Sequence, residues 1–228
     1  MTALNDPVDS ASTRSGRDFW ERTATRYDAS MVFFGGPLGE MKRRVAEAVD
    51  GRSRVLELAA GTGLVTEAIA PVVSSLLATD YSEAMVAKLD ARVRAEGLTN
   101  VETSTLDVYQ LSEEAVFDAI VAANVLHLLP DLDAALAAMV RALRPGGVLV
   151  VPTYCHDQTP LARTTSRILG WFGFPGQRRL TLESLTDLLR HPELEIGEAS
   201  LLNGLLPIGF VTACREPIDS NPNSGVSP

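Results

Sequence analysis

Residues 53–66, Ser-Arg-Val-Leu-Glu-Leu-Ala-Ala-Gly-Thr-Gly-Leu-Val-Thr, decide the fold of this chain. Val55, Leu56 and Leu58 form a short β-branched and aliphatic run that ends in a glycine turn at Gly61 and Gly63. A helical pattern follows through Leu64, Ala68 and Ile69 and stops at Pro71. A strand, turn and helix in this order brings backbone N–H groups at a helix N-terminus close to a ligand, because glycine has no Cβ to block the approach. Asp80 closes the next apolar run, Leu76 to Ala78, 17 positions after Gly63. An acid at the end of a second strand is placed to bind the two hydroxyls of a ribose. The pair reads as a nucleoside-binding βαβ unit.

The turn itself narrows the choice of nucleoside. A dinucleotide site wants G-x-G-x-x-G, which lets a pyrophosphate sit on the helix N-terminus. Here the third glycine position holds Thr66, and Ala59 and Ala60 stand where an earlier glycine would be. Glu57, just before the turn, would oppose a bound pyrophosphate and suits a ligand carrying an ammonium or sulfonium group.

The string Val-Leu-Glu-Leu-Ala-Ala-Gly-Thr-Gly resembles the first motif of the class I S-adenosylmethionine-dependent methyltransferases, in the broad group of quinone-biosynthesis and small-molecule enzymes. Residues 78–85 (Ala-Thr-Asp-Tyr-Ser-Glu-Ala-Met) resemble that family's second-strand motif, and Asp107-Val108 falls where the family contacts adenine. Residues 117–129 resemble its fourth strand and exit, and 143–151 the turn into its fifth. The motifs keep the family's order and spacing over roughly residues 17 to 215. The resemblance implies an α/β fold: a Rossmann-like, doubly wound seven-stranded sheet, mostly parallel, with one antiparallel C-terminal strand in the order 3-2-1-4-5-7-6. It implies S-adenosylmethionine as cofactor, S-adenosylhomocysteine as product, and methyl transfer to a small aromatic or apolar acceptor; a non-catalytic S-adenosylmethionine-binding protein and an NAD-dependent oxidoreductase stand as the alternatives. It also assigns cofactor contacts to the turn (Glu57, Ala59, Gly61, Gly63), to Asp80 for the ribose hydroxyls, to Tyr81 beside it, and to Asp107 and Val108 for adenine.

Composition sets bounds on this reading. A chain of 228 residues suffices for one sizeable α/β domain. A hydrophobic fraction of 46% and a charged fraction of 21% suit a soluble globular protein. The N-terminus shows no signal-peptide pattern and no apolar run approaches membrane-span length, so a cytoplasmic protein with no stable membrane insertion is expected. Cys155 and Cys214 read as free thiols in a reducing compartment. The net charge of −9 argues against a nucleic-acid partner. The expected partner is a small-molecule acceptor, with the chain a monomer or homodimer.

Between Ser/Thr/Asp-rich tails at 1–15 and 216–228, both expected to be disordered, apolar runs alternate with amphipathic stretches in the pattern of a parallel sheet. One methyltransferase domain, residues 16–215, is expected, with an N-terminal helical lid at 16–50 and a substrate-cap insertion at 155–180. Strands are expected near 53–59, 75–80, 100–106, 117–123 and 146–154, and helices over 64–70, 82–96 and 131–143. Asp131 suits the N-cap of the last helix, and Arg144-Pro145-Gly146-Gly147 stops it. Apolar runs 194–202 and 205–214, separated by Asn203-Gly204, read as a closing hairpin.

Several candidate residues carry two readings. Asp107 serves either as the adenine acceptor or as a loop N-cap. Asn124, leaving the fourth strand, offers a polar contact to the methionine portion or simply forms a turn. His127 is a candidate general base, able to take the proton of a phenol, hydroxyl or amine, or else a half-buried structural histidine. His156, beside Cys155 and Asp157, is the rival catalytic candidate. His191, before Pro192 at a helix end, reads as structural, and the spacing of these three histidines supports no metal site. Tyr27, in an aromatic helix with Phe19 and Trp20, either approaches the methionine carboxylate or packs on the sheet. The segment 155–180, with Ile168, Leu169, Trp171, Phe172 and Phe174 among arginines, reads as an apolar cap, an interfacial patch or a dimer contact.

Overall fold

A computed structural model describes residues 37–171 and 178–217, the side chains of 167–171 excepted. Expectations for Trp20 and Tyr27, for the tail at 1–15 and most of that at 216–228, and for the side chains of Trp171, Phe172 and Phe174 lie outside the described residues.

In chain order the elements are α1 (Leu38–Val49), β1 (Arg54–Leu58), α2 (Thr66–Ile69), β2 (Ser75–Asp80), α3 (Glu83–Ala95), β3 (Val101–Thr105), β4 (Phe117–Ala122), α4 (Leu132–Ala142), β5 (Leu143–Tyr154), α5 (Pro160–Trp171), α6 (Leu182–Leu188), β6 (Leu194–Leu202) and β7 (Ile208–Arg215). The strands form one seven-stranded sheet in the order β3-β2-β1-β4-β5-β7-β6, parallel except where β7 runs antiparallel to both β5 and β6. This is the fold class expected from the sequence. Chain order reverses between β1 and β4, and ligands in such sheets bind beyond the strand carboxyl ends at that switch.

The two-residue period of a strand explains how the sheet is covered on both faces. Val55, Ala119 and Val121 pack against Met41, Val45 and Val49 of α1 and Leu89 and Val93 of α3. Leu56, Leu58, Ile120 and Ala122 point the other way, into a layer with Leu136, Met139 and Val140 of α4. Glu57 shares the parity of Val55, which turns its carboxylate toward α1.

Local chemistry sets several boundaries. The Ser82 hydroxyl caps α3 by accepting from Met85 N–H at 3.4 Å, and the Asp131 carboxylate caps α4 by accepting from Ala134 N–H at 3.0 Å. Thr181 and Ser184 form a reciprocal capping box at the start of α6. Helix α4 ends at Ala142, but Leu143 already pairs with Phe117 in the sheet, and 144–147 bulge out before pairing resumes at Val148 with Ala119. The closing strands are joined by residues 203–207, a longer connection than the Asn203-Gly204 turn expected from the sequence. Pro207 offers no N–H to a ladder, and its carbonyl accepts from Cys155 N–H at 2.8 Å. No helix among the described residues is long and apolar enough to cross a membrane.

Candidate active site

Between the carboxyl ends of β1 and β4 lies a cleft lined by Leu38 and Met41 of α1, Glu57, the turn from Ala59 to Thr62, Leu64, Val65, Ala123 and Asn124. Counting its mouth and the adjoining solvent, it encloses about 390 Å³. The turn has a left-handed backbone at Ala59 (φ 54°), Gly61 (φ 59°) and Gly63 (φ 91°). Such conformations are easy for glycine and strained for alanine. Asp80, buried at the end of β2, holds the turn from one side. One carboxylate oxygen accepts from Gly61 N–H and the other from Ser82 N–H, both at 2.9 Å.

Two buried acids therefore sit at the cleft, and neither has an ion-pair partner among the described residues. Glu57 is 1% exposed and accepts from the Thr66 hydroxyl at 2.6 Å. Burial pushes its carboxyl up to about 8, the Thr66 hydrogen bond pulls it down, and the charge of Asp80 raises it further. Burial also raises Asp80, opposed by the N–H groups of Ser82, Gly61 and Tyr81. Uncompensated buried acids at a small-molecule cleft match a ligand that brings positive charge.

The other predicted contacts fall along the same strand edge. Leu106 N–H donates to the Asp80 carbonyl at 3.0 Å, and Asp107 stands two residues beyond the end of β3, the partner strand of Asp80. The Asp107 carboxylate accepts from Tyr109 N–H at 3.1 Å and caps the short turn of helix at Val108–Gln110. Asn124 has φ 54°; its amide oxygen accepts from Tyr154 N–H at 3.1 Å, while its amide nitrogen lies 3.9 Å from Met41 Sδ. Gly63 carries the far end of the turn, facing Leu89, and does not line the cleft wall. Tyr27 lies outside the described residues.

The structure brings His127 and His156 together, with ring centroids 5.9 Å apart, and Tyr154 stands 6.0 Å from His156. His127 follows β4 in a short helical turn (Leu126–Leu128) and is 4% exposed; His156 follows β5 and is half-buried. Both Nδ1 atoms are buried without a hydrogen-bond partner among the described residues. An unmet buried nitrogen of this kind costs about 1–3 kcal/mol. Burial, with His156 adding to it, pushes the His127 imidazole down to about 3. Burial and the Arg179 charge lower His156. The loop after His127 is held from outside by the Arg178 guanidinium, which donates to the carbonyls of Leu129 and, at 3.0 Å, Pro130. His191 lies apart, its Nδ1 accepting from Glu193 N–H at 3.2 Å in a turn.

Sequence reasoning missed Leu38, Met41 and Thr66. The first two sit on an amphipathic stretch, Leu38-Met41-Val45-Val49, whose spacing of three and four marks a helix face. Thr66 stood as a missing glycine, whereas its hydroxyl is the hydrogen-bond partner of Glu57.

A nucleoside cleft at the switch point of a 3-2-1-4-5-7-6 sheet, with acids at the ends of β1 and β2, defines a class of cofactor-binding α/β proteins. The family described as "Methyltransferase domain" matches residues 56–149. Phosphatidylethanolamine N-methyltransferase of Cereibacter sphaeroides is 30% identical over 202 residues, covering 83% of this chain and 91% of that protein. Among solved structures, an S-adenosylmethionine-dependent methyltransferase from Aquifex aeolicus superposes with a TM-score of 0.68 at 17% identity, over 86% of this chain and 98% of that one. N-methyltransferase NodS from Bradyrhizobium japonicum, in complex with S-adenosylhomocysteine, gives 0.61 at 22% identity, over 79% and 88%. The chain belongs to the class I S-adenosylmethionine-dependent methyltransferases. It is a transferase that uses S-adenosylmethionine.

Proposed function

We propose that this methyltransferase acts on the amine nitrogen of a small acceptor with an apolar body. S-adenosylmethionine supplies a methyl group on a sulfonium, which passes to the attacking nitrogen as the C–S bond breaks and its electron pair stays on sulfur. The chain's own residues then have three tasks. Glu57, Asp80 and the turn from Ala59 to Gly63 hold the cofactor, their buried negative charge suiting its cationic end. Asn124 and Met41 wall the reacting side and keep it dry. Together with the residues beyond β4 and β5, they align acceptor and methyl group, and positioning of this kind supplies up to ~7–11 kcal/mol.

The observation that carries the nitrogen reading is the state of His127. A phenol or alcohol needs a base with a pKa near the working pH before it can attack. An imidazole pushed down to about 3 is a weak base at neutral pH. An amine is an ammonium at neutral pH, but it can give up that proton to water before it enters the cleft. Its neutral form then attacks with its own lone pair without a base in the site, and the proton left on the methylated nitrogen departs to water. A similar relative acts, by its name, on phosphatidylethanolamine, which supports an amine attached to an apolar body.

The test is turnover of methyl-labelled S-adenosylmethionine by the purified chain against matched acceptors. These are benzylamine and phosphatidylethanolamine vesicles on one side, phenol and benzyl alcohol on the other. Label on the amines alone supports the reading. Label on phenol alone overturns it and returns a general base to the mechanism.

A further inference from the structure

We propose that His127 and His156 together form the subsite that receives the acceptor's amino group, their imidazoles accepting its two N–H bonds while its lone pair is left free for attack. The inference rests on the methyl-transfer reading above and names the residues that recognise the acceptor. Four observations carry it. The two rings lie 5.9 Å apart, close enough for one nitrogen to approach both. Each has a buried Nδ1 without a partner among the described residues, and His127 is 4% exposed. They leave the carboxyl ends of β4 and β5, the strands flanking Asn124, which itself lines the cleft and accepts from Tyr154 N–H. The loop carrying His127 is pinned by Arg178 through the carbonyls of Leu129 and Pro130, so the imidazole is presented on a braced backbone.

The charge environment agrees with the geometry. Burial disfavours the charged form of both rings, with His156 adding to it at His127 and the Arg179 charge at His156, and a neutral imidazole has a lone pair to offer. Two acceptors match the two N–H bonds of a primary amine, whereas a hydroxyl has one hydrogen to give. Each methylation removes one N–H bond, so a subsite built on two acceptors holds the primary amine best and its methylated product less well. Buried polar groups left unpaired are what make such a site discriminate.

The experiment uses the full chain with ¹⁵N-labelled histidine, saturated with S-adenosylhomocysteine and titrated with benzylamine, N,N-dimethylbenzylamine and benzyl alcohol. Benzylamine is expected to move the ring-nitrogen resonances of both His127 and His156, and the dimethyl compound, which has no N–H to give, to bind about a hundredfold more weakly, the loss of two hydrogen bonds at about tenfold each. His127→Phe and His156→Phe are each expected to weaken benzylamine by about tenfold with S-adenosylhomocysteine affinity unchanged. His127→Asn or His127→Gln, whichever places its amide at the bonding nitrogen, restores part of the loss. A merely structural histidine would not give that rescue. Benzylamine that moves neither imidazole in the unaltered protein overturns the assignment, even if both variants fail to fold. Benzyl alcohol moving both rings where benzylamine moves neither assigns the subsite to a hydroxyl and overturns the amine class. Failure of S-adenosylhomocysteine itself to bind contradicts the cofactor reading instead.

Discussion

Cofactor binding should strip a proton from Glu57. In the free protein this carboxyl is 1% exposed, and burial lifts it from its ordinary 4.5 to about 8. That rise corresponds to roughly 5 kcal/mol against the ionised form, at about 1.4 kcal/mol for each tenfold. At pH 7 most molecules then hold the proton on Glu57. A cationic ligand in the cleft favours the carboxylate and brings its pKa down, so S-adenosylmethionine releases up to about one proton as it binds at pH 7. Its affinity rises with pH between about 6 and 8. S-adenosylhomocysteine, which lacks the sulfonium charge, releases less. The assay is calorimetric titration in two buffers of different ionisation enthalpy, comparing the unaltered chain with Glu57→Gln, which keeps the shape and cannot ionise. The linked stability has a definite sign. The folded state keeps a proton that the unfolded chain gives up between about pH 4.5 and 8, so stability falls as pH rises through that window, and Asp80, also raised, adds in the same direction. Equal proton release in the two proteins, or none in either, would refute the reasoning.

Other substitutions test the turn. Asp80→Ala removes two charge-assisted hydrogen bonds of 2.9 Å, to Gly61 and Ser82. It should lower stability in urea by about 2–3 kcal/mol, part of the loss being offset by relief of the buried charge, and weaken S-adenosylhomocysteine by about tenfold or more. Ala59→Gly relieves a left-handed backbone at φ 54°; it should leave Tm unchanged or raise it, with cofactor affinity intact, the strain of about 1–2 kcal/mol being partly offset by glycine's entropy. Gly63→Ala should lower Tm by about 2–8 °C. Its Cβ at φ +91° would stand 2.8 Å from Leu89 Cδ1 and 3.3 Å from Arg92 Cδ, so the buried Leu89 side chain must move as well as the turn strain.

The sheet was readable because each parallel strand is an apolar run bounded by a turn signal: Val55–Leu58 before Gly61, Leu76–Ala78 before Asp80, Phe117–Ala122 before Asn124. The cofactor end was readable for the same reason, since glycine and acid at strand ends have few other uses. The strand order came from family resemblance, because pairing between β5 and β7 brings together residues some sixty positions apart and leaves no local mark. Helix α6 escaped notice because seven residues span too few turns to show a period. The extent of β5 escaped because Leu143 continues the apolar face of α4 in sequence while pairing with Phe117 in space. The roles of Thr66 and Met41 are tertiary: each acts through a neighbour, Glu57 or Asn124, that only the folded sheet brings near. His127 and His156, 29 positions apart, could each be nominated from the sequence, but their 5.9 Å approach could not.

The most direct test of the cofactor site is calorimetric titration of S-adenosylhomocysteine into the full chain, with NADH in parallel and Asp80→Ala as control. Micromolar binding of S-adenosylhomocysteine alone, lost in the variant, is the predicted result. Binding of NADH in its place, or S-adenosylhomocysteine binding that survives Asp80→Ala unchanged, would contradict the site built on Glu57, the glycine turn and Asp80.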